Sequence, residues 1–309
     1  RFAKVVLVIL SMVATTGLWF SVLAPGYANL RLGEAYYHHV VDPYRVQEAV
    51  AAGLSVNTFA DLEYGYQLYA MYTDRQQYEF SGEEKEVAYM VAYEVLRANT
   101  EKYPYDARTF VYLGHVIEAR PDSVVYDQGE NIKILTRAIA LSPERSQPYY
   151  MLANVYIAEA NQSPASDREA IFAEAINVLE MYKDIAPGIA EPHLVLAELY
   201  NALGRVEEGV AEFAKGVGLY DGRDGSDARR IAGYLLAQNK VKEALPYLED
   251  ANRLRGNDYV VMLDLAKARF ITEDVLGAAM LVEIIQLEAP VLLETEFFFL
   301  ESLRNAVEL

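Results

Sequence analysis

The 309-residue sequence predicts an all-α protein, an α-solenoid of about seven helix pairs preceded by one N-terminal hydrophobic helix. Three observations carry this. From residue 26 onward glycine and proline are sparse, and apolar residues recur at helical spacing. A motif of small and large residues then returns along the chain, with a proline behind most copies. Ahead of all this, Val5 to Ala24 is an unbroken run without a charge, in a chain whose formal charge is −18.

The N-terminal run comes first. Twenty residues rising about 1.5 Å each give a helix of about 30 Å, the hydrocarbon thickness of a bilayer. A lone segment in lipid has to satisfy its own backbone, which only a helix does. Arg1 and Lys4 precede the run, no charge follows until Arg31, and Trp19, Phe20 and Tyr27 lie where the far interface would be. The basic flank places the N-terminus in the cytoplasm and the remainder at the extracytoplasmic cell surface. Residues 1–26 are therefore read as a transmembrane anchor, residues 27–290 as the solenoid and residues 291–309 as a capping or assembly helix. A cleavable signal peptide has a shorter apolar core, a buried core helix is disfavoured at this length, and a pilin-like filament-core helix is the third alternative. The chain starts with Arg rather than Met, which reads as a processed or truncated start.

The repeat is clearest in PHLVLAELYNALGRVEEGVAEFAKGVGLY, Pro192 to Tyr220. His193, Leu196, Ala197 and Tyr200 share one face of a first helix, Gly204 turns the chain, and Gly209, Phe213 and Gly216 mark a second. Small Ala197 and Gly209 permit close helix approach, while Leu196, Tyr200 and Phe213 fill the surrounding space. The same frame returns at Phe110–Pro143, Tyr149–Pro187, Ile231–Ala251 and Leu265–Pro290. Two earlier pairs match less well: the tyrosine-rich Phe59 to Tyr72 with Ala92 and Leu96, and an irregular pair over residues 27–57. Ala119–Glu130 and Asn161–Ala170 read as insertions that project from one edge. Phe297, Phe298, Phe299 and Leu300 cover nearly a full turn of the last helix, so one docked face cannot bury them all, and they are the candidate assembly residues.

Chemistry finds little footing. Beyond Arg1 and Lys4 the chain holds 25 basic against 45 acidic side chains, a balance of −20 that repels nucleic acid. With no cysteine there is neither disulfide nor thiolate chemistry. His38 and His39 are neighbours that a helix points about 100° apart, and His193 occupies a packing position. DGRDGSD, Asp221 to Asp227, departs from calcium-loop spacing and reads as a turn with a helix cap. Asn161-Gln-Ser163 is a formal glycosylation sequon followed by Pro164. The chain is therefore read as non-catalytic, with no cofactor and no metal. Most of the 24 tyrosines are read as packing residues, with some available to a peptide or glycan.

The repeat resembles the tetratricopeptide repeat (TPR), a 34-residue helix–turn–helix unit that stacks into a right-handed superhelix. Carrying its frame over, the first helices line a groove that binds a protein partner. The groove-facing residues are Arg108, Val111 and His115, then Tyr150 and Asn154, then Leu194, Glu198 and Asn201, and finally Arg229, Lys267 and Phe270. The lysine–asparagine clamp of chaperone-binding members is broken at Val111/His115 and at Leu194/Glu198. A hydrophobic helix followed by an acidic array is also similar to the C-terminal portion of O-antigen ligase-like polysaccharide polymerases. That likeness rests on EAVAAGLSVNTF, ANTEKYPYDARTFVYLG and AIALSPERSQPYYMLANVY. It implies an accessory module that docks a surface glycan or a glycosyltransferase, without an active site of its own. The first reading remains a membrane-anchored scaffold that binds a protein partner or further copies of itself.

Overall fold

The computed structural model describes residues 2–74, 80–125 and 127–307, which contain helices and short connections and no strand. Arg1 of the expected basic flank lies outside the described residues, as do Tyr126 of the first expected insertion and the two final residues of the expected terminal helix. Contacts divide the chain into two compact units, Arg1–Ser163 and Pro164–Leu309, where the sequence suggests one unbroken array.

The first unit opens on a continuous helix. α1 (Phe2–Leu18) passes through a π turn, Trp19–Leu23, into α2 (Ala24–His38), with helical backbone at both joints. Pro25 lacks the N–H that would bond the Ser21 carbonyl, and the slip in the ladder falls just before it. Every residue from Lys4 to Leu23 is exposed; from Ala24 onward the helix acquires a buried face of Ala24, Pro25, Ala28 and Ala35. The boundary expected at residue 26 thus falls inside one helix.

α3 (Pro43–Leu54) starts where the Asp42 carboxylate accepts from the Tyr44 and Arg45 amides, both at 3.1 Å. It lays Val46, Ala49 and Val50 against α2. The largest fully buried side chain of this core comes from α4 (Asp61–Tyr72). Tyr64 is fully buried, and its hydroxyl donates to the Ala28 carbonyl at 2.5 Å. Its ring end occupies the space beside Gly53, where a Cβ would stand 1.8 Å from the Tyr64 oxygen and 2.6 Å from Cζ. α5 (Gly82–Lys102) begins with a capping box between Ser81 and Glu84. α6 (Ala107–Glu118), α7 (Gln128–Leu141) and α8 (Gln147–Gln162) complete the unit. Gly114 of α6 lets Leu135 of α7 approach to within 2.7 Å of where a Cβ would be.

The second unit holds α9 (Ala165–Ile185), α10 (Glu191–Ala202), α11 (Val206–Leu219), α12 (Gly225–Ala237) and α13 (Val241–Arg255). α14 (Tyr259–Ile271), α15 (Val275–Glu288), a 3-10 turn at Pro290–Leu293 and α16 (Phe297–Val307) follow. α10 pairs with α11, α12 with α13, and α14 with α15. Each pair turns through one left-handed residue, Gly204 at φ 74°, Asn239 at φ 60° and Glu273 at φ 72°. Spacings of 35 and 34 residues separate these turns, which is the repeat read directly from the backbone. The insertion expected at residues 161–170 does not project. Asn161 and Gln162 extend α8, Ala165 onward extends α9, and only Ser163 and Pro164 fall between them. The helix formers behind Pro164 account for this, since proline is well placed to open a helix and Ala165, Glu169 and Ala170 sustain it.

An exposed helix gains up to about 1 kcal/mol from a glycine-to-alanine change. Gly53→Ala should do the reverse here, because the new methyl overlaps the Tyr64 ring, with a cost of about 1–3 kcal/mol. Thermal unfolding of the full chain in detergent, followed by circular dichroism at 222 nm, should show a lower midpoint. An unchanged or raised midpoint would sink this account of the α3–α4 contact.

Candidate interaction surfaces

The first unit presents an aromatic wall built from α4, α6 and α8. Tyr66 and Tyr69 stand one turn apart on α4, and Tyr112 and His115 one turn apart on α6. Tyr69 and Tyr112 stack at 4.0 Å, 9° from parallel, and Tyr66 meets Tyr112 edge-on at 5.6 Å. Arg108 places its guanidinium 5.1 Å from the centre of the Tyr66 ring, and His115 lies 5.8 Å from Tyr69. Burial, then the bonded Asp106 carboxylate, pushes the Tyr66 hydroxyl up to about 12. Burial holds the His115 ring below its ordinary value, so it stays neutral and can accept from Gln147 Nε2 at 2.7 Å. Tyr150 and Asn154 are half-buried on α8.

Of the residues expected here, Arg108 and His115 therefore sit together on one surface. Val111 does not. It is fully buried, because α6 is packed by α4, α5, α7 and α8 and has only a narrow arc left to solvent. Tyr66, Tyr69, Tyr112 and Gln147 belong to the same wall and lie outside the positions that the repeat frame selects. The i, i+3 tyrosines of LEYGYQLY were the available signal.

In the second unit the expected residues carry charge that is already paired. Glu198 receives Arg230 at 3.0 Å, Arg229 lies 3.5 Å from Asp258, and Lys267 meets Glu296 at 2.6 Å. Asn201 turns its amide oxygen toward Gly209, where a Cβ would be 2.4 Å away. Phe270 meets Phe299 edge-on at 5.8 Å. Leu194 is a correction, at 2 % exposure. Gly216 has no side chain, so Leu194 fills the gap between α10 and α11 instead of facing outward.

Two buried polar groups lie in the same unit. His193 bonds Glu212 through Nδ1 at 2.6 Å, and Lys183 and Lys215 reach the other oxygen of Glu212 at 3.3 and 2.8 Å. Burial opposes ionisation of Glu212, yet Lys215, His193 and Lys183 together bring its carboxyl down to about 2. The DGRDGSD segment caps α12, with Asp224 accepting from the Ser226 and Asp227 amides at 2.7 and 3.1 Å. Asp227 itself is buried at 7 % exposure, and burial followed by the charges of Asp224 and Glu191 pushes its carboxyl up to about 7.

The terminal helix divides its aromatic run. Phe299 and Leu300 pack against the core of the second unit, while Phe297 and Phe298 stay 66 % and 83 % exposed.

Because the folded chain holds the Asp227 proton more tightly than the unfolded chain, stability should fall as pH rises from about 4 through about 7. Asp227→Asn keeps the neutral form at all pH. Its unfolding midpoint should match the parent near pH 4 and exceed it at pH 8. Equal differences at both values would count against a buried, late-titrating carboxyl.

The fold has solved counterparts. It is similar to TTC0263, a thermophilic TPR protein of Thermus thermophilus, at 19 % identity and TM-score 0.50, covering 68 % of this chain and 97 % of that one. It is similar to yeast Tom70 at 18 % identity and TM-score 0.54, covering 93 % of this chain and 54 % of that one. No family model matches the chain, and no curated protein matches its sequence. The helix pairs are thus of tetratricopeptide-repeat type, and these neighbours add nothing to the polysaccharide-polymerase resemblance.

Proposed function

We propose that this chain is a non-catalytic scaffold, tethered to a membrane by its first helix, whose repeats bind a protein segment on the extracytoplasmic side. One observation carries the tether. In the helix Lys4–His38, mean hydropathy reaches 2.2 in a window with no buried residue, and burial begins at Ala24, where the apolar run ends. Lys4 before the run and Trp19, Phe20 and Tyr27 toward its far end support an inside N-terminus.

The binding half of the reading is supported by the wall of Tyr66, Tyr69, Arg108, Tyr112 and His115, with Gln147 bonded at its edge and the half-buried Tyr150 one turn further along α8. Stacked rings with polar tips offer rigid contact area at little entropic loss, and the Arg108 cation and Gln147 amide add hydrogen-bond donors. A stack of helix pairs is also an architecture whose first helices are commonly used to hold extended peptides.

Alkaline carbonate should leave the full chain in the membrane pellet. Val8→Asp with Val13→Asp should release it, each charge costing about 2.5–3.5 kcal/mol near a span centre. Release of the parent chain would end the tether reading. Orientation is read separately by Tyr105→Cys, at an 83 % exposed site in a chain without cysteine. An impermeant maleimide should label it on intact cells, and labelling only after permeabilisation would reverse the topology. For the groove, peptides selected from a random library on the full chain should lose at least tenfold in affinity with Arg108→Glu and Tyr150→Ala together. Unchanged affinity would move the binding surface elsewhere.

A further inference from the structure

α15 is apolar on both faces. Ala278, Leu281, Val282 and Ile285 are buried, as the second helix of a pair requires. The outward stripe of Leu276, Met280, Ile284 and Leu287 follows helical spacing on the opposite side, with Leu276, Met280 and Leu287 each 68–75 % exposed. In a repeat stack a neighbouring helix covers such a stripe. α16 covers only part of it. Leu303 turns inward, Phe297 and Phe298 turn outward, and a groove of about 520 Å³ remains between α15 and α16. Val282, Leu287, Leu303 and Val307 line that groove, with Glu283 and Arg304 among its polar lining.

We infer that this end of the second unit is a homodimer interface, in which two copies meet about a two-fold axis and each seats Phe297 and Phe298 against the groove of the other. Three features favour a second copy as the occupant. The first is size. Aromatic side chains contribute about 150–250 Å² apiece when fully covered, and aliphatic ones somewhat less. The exposed fractions of Leu276, Met280, Leu287, Val291, Phe297 and Phe298 therefore offer on the order of 800 Å², the contribution of one partner to a standard interface. A monomer rarely leaves an apolar patch beyond a few hundred Å² in water. The second is shape, since protruding rings and a receiving groove lie on the same end of one unit, which a two-fold operation makes mutually complementary. The third is charge. Glu283 and Arg304 have no ion-pair partner among the described residues, and the same operation can set Arg304 of each copy against Glu283 of the other. A chain of charge −18 repels its own copies at long range, so this contact should tighten as salt screens that repulsion.

This inference stands apart from the tether and groove readings. The test is sedimentation velocity of the full chain in density-matched detergent across a hundredfold range of concentration. A monomer–dimer equilibrium is expected, strengthened between 50 and 500 mM salt. Phe298→Glu alters an exposed side chain and should raise the dissociation constant at least tenfold. Glu283→Arg or Arg304→Glu alone should weaken the dimer, and both changes in one chain should restore it, an outcome that neither a lipid surface nor an unlike partner would produce. Leu287→Cys should cross-link copies under oxidation, while Val206→Cys, also exposed but on α11, should not. A parent chain that stays monomeric throughout overturns the inference and leaves lipid or another protein as the occupant. A dimer indifferent to Phe298→Glu and to the charge exchange overturns it equally, since the N-terminal helix would then be the contact.

Discussion

The spacing between paired helices is set by what is missing from one side of each contact. Between α6 and α7 Gly114 leaves room for Leu135, and between α10 and α11 Gly216 does so for Leu194 and Gly209 for the Asn201 amide, while Gly53 of α3 receives the Tyr64 ring from the next pair. In each case a methyl group in the small residue's place would stand within 2.7 Å of its neighbour. Tyr64, Leu135 and Leu194 are accordingly buried, at 2 % exposure or less, and packed on all sides. Everything outward of these contacts inherits its position from them. Tyr69 stacks on Tyr112 and Tyr66 meets it edge-on from a helix that Tyr64 fixes against α2 and α3.

Much of this was legible in the sequence. The small–large alternation of Ala197, Tyr200, Gly209 and Phe213 marks a helix pair because only small residues permit the approach and only large ones fill the remainder. The turn at Gly204 recurs at Asn239 and Glu273, and a left-handed residue there is sterically required whatever its identity. Burial on individual helices was less accessible. Val111 and Leu194 occupy positions that face a groove in the average repeat, but α6 has neighbours on four helices and Leu194 fills the void left by Gly216. Neither circumstance is visible from a residue's own helix. The segment Asn161–Ala170 misled for a different reason. Its Ser-Pro step looks like loop chemistry, yet a proline at a helix start and a proline in a loop are the same local sequence.

Charge is distributed with similar economy. The net of −18 keeps the surface repulsive, while two buried carboxylates of the second unit take opposite courses. Glu212 is surrounded by two lysines and a histidine and stays ionised far into acid. Asp227, close to Asp224 and Glu191, retains a proton toward neutral pH. Two acidic side chains in one unit are thus driven apart by the company each keeps, and each contributes to the pH dependence of the unit with the opposite sign.

The unbroken helix from α1 through the π turn into α2 has a mechanical corollary. A flexible linker would let the apolar segment tilt and spin while the repeats tumbled on their own. Here the same rod that carries Val5 to Leu23 also carries Ala28 and Ala35 into the first core, so neither part can rotate without turning the other. The rod is about 50 Å long at the usual rise per residue. It behaves as a drive shaft rather than a string, with the five-residue π turn its departure from α geometry. Any torque or change of tilt applied at the apolar end arrives at the Tyr64 contact, and whatever binds the aromatic wall sends its own torque back the same way.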